Sequence, residues 1–180
     1  MTFSVQHNRS PPEPILPDIL APNLQVVFCG SAASNVSAKR GAYYAHPQNR
    51  FWPIIYALGL TNRLLTPEEY TKLPEQGVGL TDMAKHHFGG DAVLPKNADD
   101  PAGLKARIAR YSPKFLAFNG KRAAQVFFKH CFNSKQVSYG LQQETIGSTE
   151  LFVLPSTSPA AVRYWDETPW RTLAQQMKNV

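Results

Sequence analysis

Cysteine is scarce: the 180 residues contain two, Cys29 and Cys131, far apart and each inside an apolar run. That count excludes a disulfide framework and a four-cysteine metal cluster. It fits two free thiols packed in a reducing compartment. Charge is sparse as well. Asp, Glu, Lys and Arg make up 18% of the chain against 43% hydrophobic residues, the balance of a folded domain rather than a disordered one. No apolar run reaches the length of a membrane span. The first residues lack a basic stretch followed by an apolar core. A cytoplasmic protein without a membrane partner is the expectation. Acidic residues are outnumbered 13 to 19 by lysine and arginine, so the net charge is +6 and the pI near 9.4. This permits a polyanionic partner without establishing one. The one histidine pair, His86-His87, does not suggest a metal site, because neighbours on a strand point apart. No cofactor is expected.

The length favours a single domain. Residues 1–18 hold four prolines and no periodicity, and read as a loose tail, with a possible anchor near Ile15–Ile19. Residues 19–180 read as one domain. Gln25–Cys29 is a short apolar strand ending at Gly30-Ser31-Ala32-Ala33-Ser34, whose small residues suit a tight turn that a ligand can approach. A helix is expected over Phe51–Leu58, and another after Thr66-Pro67. Gly77–Ala84 reads as a strand and its exit, and Lys85–Asp100 as a mobile loop. Pro101–Tyr111 and Lys121–Phe132 have helical spacing, with the strand Lys114–Phe118 between them. Glu144–Ile146 and Glu150–Leu154 flank Gly147, as in a hairpin. Thr168–Lys178 closes the chain as a helix with Thr168 as its cap. Strands alternating with helices predict an α/β layered fold with a mostly parallel sheet. Ligands bind such sheets where the strands end. Three segments leave strands in this way: GSAAS, LTD and LPSTS.

Between the first two lies Tyr43–Trp52, YYAHPQNRFW. It crowds flat rings and hydrogen-bonding groups into one loop. An aromatic plug over a small core and a pocket for a planar ligand are both compatible with it. Taken with ILAPNLQVVFCG and LFVLPSTS, this loop resembles the mismatch-specific uracil-DNA glycosylases, the branch that includes thymine-DNA glycosylase. The likeness spans Ile19 to the C-terminal helix. It implies a three-layer α/β/α fold, excision of uracil and related deaminated or mismatched bases by hydrolysis of the N-glycosidic bond, and an abasic product. The implied enzyme is monofunctional and monomeric. Its partner is DNA, double-stranded with a mismatched or deaminated base, or single-stranded.

Two positions depart from the family pattern. Where the family carries an asparagine that positions the attacking water, this chain has Ala32. Where an asparagine follows the second-motif proline, this chain has Ser156. The departing base and the cation-like sugar still need donors and a carboxylate or an oriented water. Asp82, inside the apolar run GVGLTDMA at a strand exit, is the principal catalytic candidate; a helix cap or an ion pair with Lys85 is its other reading. Asn49 is the alternative catalytic residue, or a brace for its own loop. Tyr44 matches the aromatic residue before AHP and is the expected stacking platform, an interaction worth about 1–3 kcal/mol. Ser31 and Ala32, His46 and Ser156 complete the expected base site. Ser158, the small segment Pro159-Ala160-Ala161 and Arg163 are the expected DNA contacts. With both asparagines replaced, a non-catalytic binder of damaged or single-stranded DNA is the rival reading.

Overall fold

Five strands form one sheet in the computed structural model, which describes residues 13–179. They are β1 (Val26–Ala33), β2 (Val78–Phe88), β3 (Phe115–Asn119), β4 (Gly140–Ile146) and β5 (Thr149–Leu154), in the order β2-β1-β3-β5-β4. All neighbours run parallel except β4, which pairs antiparallel with β5. A parallel sheet covered on both faces needs strands apolar throughout. Val26 to Cys29 and Leu116 to Phe118 are fully buried. By contrast β4 lies at an edge and alternates exposed and half-buried residues over most of its length.

The helices α1 (Asn35–Arg40), α2 (Phe51–Ala57), α3 (Pro101–Tyr111), α4 (Lys121–Phe132) and α5 (Thr168–Lys178) supply the outer layers. Phe51 and Ile55 of α2 and Trp170 and Leu173 of α5 pack with Phe28 and Leu80 on one face of the sheet. Leu104 and Ile108 of α3 and Phe127 and Phe128 of α4 pack with Val27, Phe118 and Val153 on the other. This is the three-layer α/β/α arrangement with a mostly parallel sheet that the sequence predicts. Local signals explain several ends. Asp100 accepts from the Gly103 N–H at 2.8 Å and Pro101 opens α3. Thr66 and Glu69 form a capping box on the 3-10 helix Pro67–Gln76. Thr168 is the first residue of α5 rather than its cap, and its N–H donates to Asp166 Oδ1 at 2.9 Å.

Two expectations at the strand ends need correction. The small residues Gly30 to Ala33 are not a turn; they continue β1, and the chain turns only at Ser34, which caps α1 by accepting from the Ser37 N–H at 3.1 Å. Nor does β2 stop at Ala84. It runs to Phe88, with a register slip opposite Ala32 and Ala33. The segment after it is pinned rather than loose: Ala98 is buried, and Asp99 accepts two hydrogen bonds from Arg122, at 2.7 and 2.8 Å.

Most of the expected tail over 1–18 lies outside the described residues. Residues 13–19 run along the free edge of β2 as a strap. The Ile15 N–H donates to the Lys85 carbonyl at 2.7 Å, and Ile19 and Leu80 exchange both backbone bonds at 2.9 and 3.0 Å. Leu16 is buried beside them. The strap covers an edge that would otherwise present unpaired N–H and C=O groups.

Candidate active site

The order of the sheet reverses at β1: the chain passes to β2 on one side and then to β3 on the other. Such a switch point opens a crevice at the carboxyl ends of the strands. Pairing between β1 and β3 ends at Cys29 and Phe118, while β1 runs on to Ala33. The gap so formed holds a cavity of about 410 Å³.

Asp82 projects into this cavity from β2, in register with Gly30 of β1. It is 4% exposed. Its carboxylate makes no hydrogen bond or ion pair with the described residues, and Lys85 pairs with Asp18 instead, at 2.8 Å. Burial pushes the Asp82 carboxyl up to about 6; Lys85 and Arg107 oppose this and Asp18 adds to it. The missing side chain of Gly30 makes room. A Cβ there would lie 2.7 Å from Asp82 Oδ1 and 3.4 Å from the Tyr44 hydroxyl.

Tyr44 therefore reaches the same point as Asp82. Its ring stacks on Phe51, with centroids 4.1 Å apart and planes inclined by 26°. Its backbone takes the left-handed conformation at φ 53°, uncommon for a bulky residue. The surroundings hold it there: Trp52 Nε1 donates to the Tyr43 carbonyl at 3.1 Å, and Ser37 Oγ accepts from the Ala45 N–H at 3.1 Å. The Tyr44 hydroxyl is buried without a hydrogen-bond partner among the described residues. Burial first, and Asp82 second, hold the phenol well above its ordinary range.

Asn49 lines the cavity too, and its Oδ1 accepts from the Phe51 N–H at 3.0 Å, bracing the start of α2. Its amide nitrogen makes no hydrogen bond to the described residues and is left for a ligand. Ser31, Ala32, Ser156, Ser158, Ala160 and Ala161 also line the cavity. Ser156 Oγ accepts from the Ser158 N–H at 3.2 Å, and Ser158 Oγ from the Ala160 N–H at 3.3 Å, which starts the 3-10 helix Pro159–Tyr164.

Three candidates stand away from the cavity wall. His46 braces its own loop, its Nδ1 accepting from the Gln48 N–H at 3.1 Å. Pro159 sits with Gln48, Arg50 and Val162 around a second, shallower depression. Arg163 is exposed outside both.

Other residues at the site have no counterpart in the sequence reading. Asn119 ends β3 and is buried; its Nδ2 donates to Thr157 Oγ1 at 2.8 Å and its Oδ1 accepts from the Thr157 N–H at 3.0 Å. This clamp fixes the loop after β5 against the cavity. The only signal for it was a polar residue closing the apolar run KFLAF. Tyr139 and Tyr164 stand at the cavity mouth, 38% and 73% exposed, and Lys121 Nζ lies 4.3 Å from the Tyr139 ring centre. Arg122, by contrast, is tied to Asp99.

The profile of the uracil DNA glycosylase superfamily matches residues 17–177. The chain belongs to that superfamily. A solution NMR structure of a candidate uracil DNA glycosylase from Methanosarcina acetivorans resembles it in fold, with 24% sequence identity and a TM-score of 0.62. The match covers 91% of this chain and 96% of the other. Members of the superfamily are DNA glycosylases, so DNA is the partner class and glycosidic hydrolysis the reaction class. Within this fold, the strand ends described here bound a cavity of about 410 Å³ with an aromatic side chain, Tyr44, and a buried carboxylate, Asp82.

Proposed function

We propose that this chain is a monofunctional DNA glycosylase of the mismatch-specific uracil branch. It extrudes uracil from DNA, and also hypoxanthine or mismatched thymine, and hydrolyses the N-glycosidic bond to leave an abasic site. One observation carries this reading: a buried carboxylate without a partner among the described residues, Asp82, lines the same cavity as Tyr44, and the two side chains meet above Gly30.

In this reading the base leaves the duplex and enters the cavity against Tyr44, since its reacting bond is inaccessible within the stack. Asp82 in its ionised form takes a proton from water as the water oxygen bonds to C1′. The C1′–N bond breaks, its electron pair goes to the base, and the base picks up a proton as it departs. The same carboxylate stabilises the positive charge that develops on the sugar. Asn49 holds the water or the base edge with its free amide, while Ser31, Ala32 and Ser156 bound the base. Ala32 has no group that can orient water, so the task falls to Asp82 and Asn49. His46 supports the loop from behind. Ser158 and Arg163 contact phosphates, and Pro159-Ala160-Ala161 approaches the gap left by the base. The enzyme acts as a monomer in the cytoplasm, with residues 19–180 as its single domain.

Incubation with duplexes carrying uracil in pairs and mismatches, followed by alkali, tests the proposal. Alkali-labile strands are expected with wild type and not with Asp82→Asn. The rival reading, a binder without catalysis, is favoured by Ala32 and Ser156. It predicts tight binding to the same DNA and intact strands in every context.

A further inference from the structure

Two cations act electrostatically on the Asp82 carboxylate without pairing with it. Lys85 lies three residues further along β2 with its side chain 6% exposed. Arg107 reaches in from α3, and its NH2 group lies 3.5 Å from the Asp82 backbone carbonyl oxygen. In a buried site an unengaged cation is drawn to the nearest free anion. Here both are already paired with Asp18, on the strap that crosses the edge of β2, and Arg107 Nη1 also lies 3.4 Å from Asp100 Oδ2. Asp18 Oδ1 accepts from Lys85 Nζ at 2.8 Å and from Thr81 Oγ1 at 2.7 Å. Asp18 Oδ2 lies 3.1 Å from Arg107 Nε. Lys85 Nζ is fixed further by donation to the Tyr43 hydroxyl at 3.0 Å, and Tyr43 in turn donates to the Pro17 carbonyl at 3.0 Å. Lysine, tyrosine and strap thus form one connected network behind the cavity wall.

We propose that Asp18 is a positioning residue that holds Lys85 and Arg107 off the Asp82 carboxylate, leaving Asp82 free to accept a proton from water. The proposal rests on the reading of Asp82 as the group that activates water. It assigns a role in the reaction to a strap that lies outside the sheet. The charged and titratable groups around Asp82 are few. Lys85 comes from β2, Arg107 from α3, Asp18 from the strap, Tyr43 and Tyr44 from the loop after α1, and Cys29 from β1. Burial holds the two phenols and the thiol well above their ordinary ranges, so they stay neutral near pH 6. Asp18, Lys85 and Arg107 are then the charges that decide how Asp82 behaves. With Asp18 neutralised, Lys85 is released to pair with Asp82. A carboxylate tied to an ammonium is easier to ionise and a weaker base.

The test is the pH profile of single-turnover uracil release for four proteins: wild type, Asp18→Asn, Lys85→Met and the double variant. Asp18→Asn is expected to lower the plateau at least about tenfold, by Brønsted weakening of the base, and to move the acid limb to lower pH. Lys85→Met removes a cation and is expected to move the acid limb to higher pH. The double variant is expected to recover most of the plateau lost in Asp18→Asn, because the released cation is gone. A purely structural role for the strap predicts otherwise. Activity would fall with the melting temperature, the acid limb would stay where it is, and Lys85→Met would not rescue; that result overturns the proposal. Should Asp18→Asn fail to fold, the direction of the Lys85→Met limb decides alone, and no upward movement overturns it. Asp82→Asn in parallel separates the two levels. Normal turnover in that variant removes the reading of Asp82 itself. Lost turnover there, with no limb movement in the other variants, removes only the role of Asp18.

Discussion

Asp82 and Tyr44 meet over Gly30: Asp82 Oδ1 and the Tyr44 hydroxyl lie 2.7 and 3.4 Å from the point that a Cβ on that glycine would occupy. One comes from an edge strand and the other from a loop, and they share a space kept open by the absence of a side chain between them. Gly30→Ala therefore forces the carboxylate to move. Displacements of this order cost roughly 100-fold in rate. Single-turnover base release is expected to fall by about that factor while the far-UV spectrum stays that of the wild type.

Asp82 burdens the fold at neutral pH. Its folded-state value near 6 is above the ordinary carboxyl value of 3.8, so between these pH values the folded chain binds more protons than the unfolded one. Stability must then fall as pH rises through that window. Asp82→Asn removes the titration. Above pH 6 the variant is expected to be more stable than wild type, by up to about 3 kcal/mol. The advantage should shrink as pH drops from about 6 and be gone below about 4. Urea unfolding across pH measures it. An Asp82→Asn protein less stable than wild type at pH 7 would contradict the burial argument.

The same ionisation sets activity. Base release should rise as pH increases through about 6, as Asp82 loses its proton. A profile flat from pH 5 to 8 would point to a group other than Asp82.

In the proposed mechanism Asn49 does two jobs that substitution can separate. Its Oδ1 accepts from the Phe51 N–H, and its amide is free. Asn49→Ala is expected to cost about 1 kcal/mol of stability, as lost caps do, and to slow base release. Asn49→Asp keeps the acceptor and loses the amide donor, so it should melt like wild type and still be slow. Equal turnover in Asn49→Asp and wild type would confine Asn49 to bracing α2.

Tyr164 is 73% exposed at the cavity mouth, next to Ala160 and Ala161, which are too small to fill the space of a lost base. Tyr164→Ala is expected to weaken binding to duplex DNA by about 1–3 kcal/mol, the scale of one stacked base. Binding to single-stranded DNA should change less, because no base pair has to be opened there. Fluorescence anisotropy on matched duplex and single-stranded probes gives the comparison.

The legible parts of the sequence were those where local chemistry decides. Apolar spacing placed α3 and α4 and fills their buried faces, and Gly147 turns the hairpin; the cap that Asp100 supplies to α3 was not read. Asp82 was legible as a carboxylate inside an apolar run at a strand exit. Its solitude was not, because an ion pair with Lys85 is equally compatible with the sequence. That ambiguity is resolved by Asp18, which lies 63 residues from Thr81 along the chain and meets it only through tertiary packing. The extension of β1 through Gly30-Ser31-Ala32-Ala33 was hidden for a related reason. Small residues signal a turn in isolation, but here Gly30 leaves the space that Asp82 and Tyr44 occupy against the strand. Arg163 and His46 carry suitable chemistry, yet the 3-10 helix and the loop turn them away from the cavity, a matter of backbone direction that composition does not encode.

The most direct test is single-turnover release of uracil from a mismatched duplex at pH 7.5, comparing wild type with Asp82→Asn at equal DNA occupancy. Rapid release by wild type and a loss of at least about 100-fold in the variant, the scale of a missing general base, is the predicted result. Equal rates, or no release by wild type on any uracil-containing DNA, would contradict it.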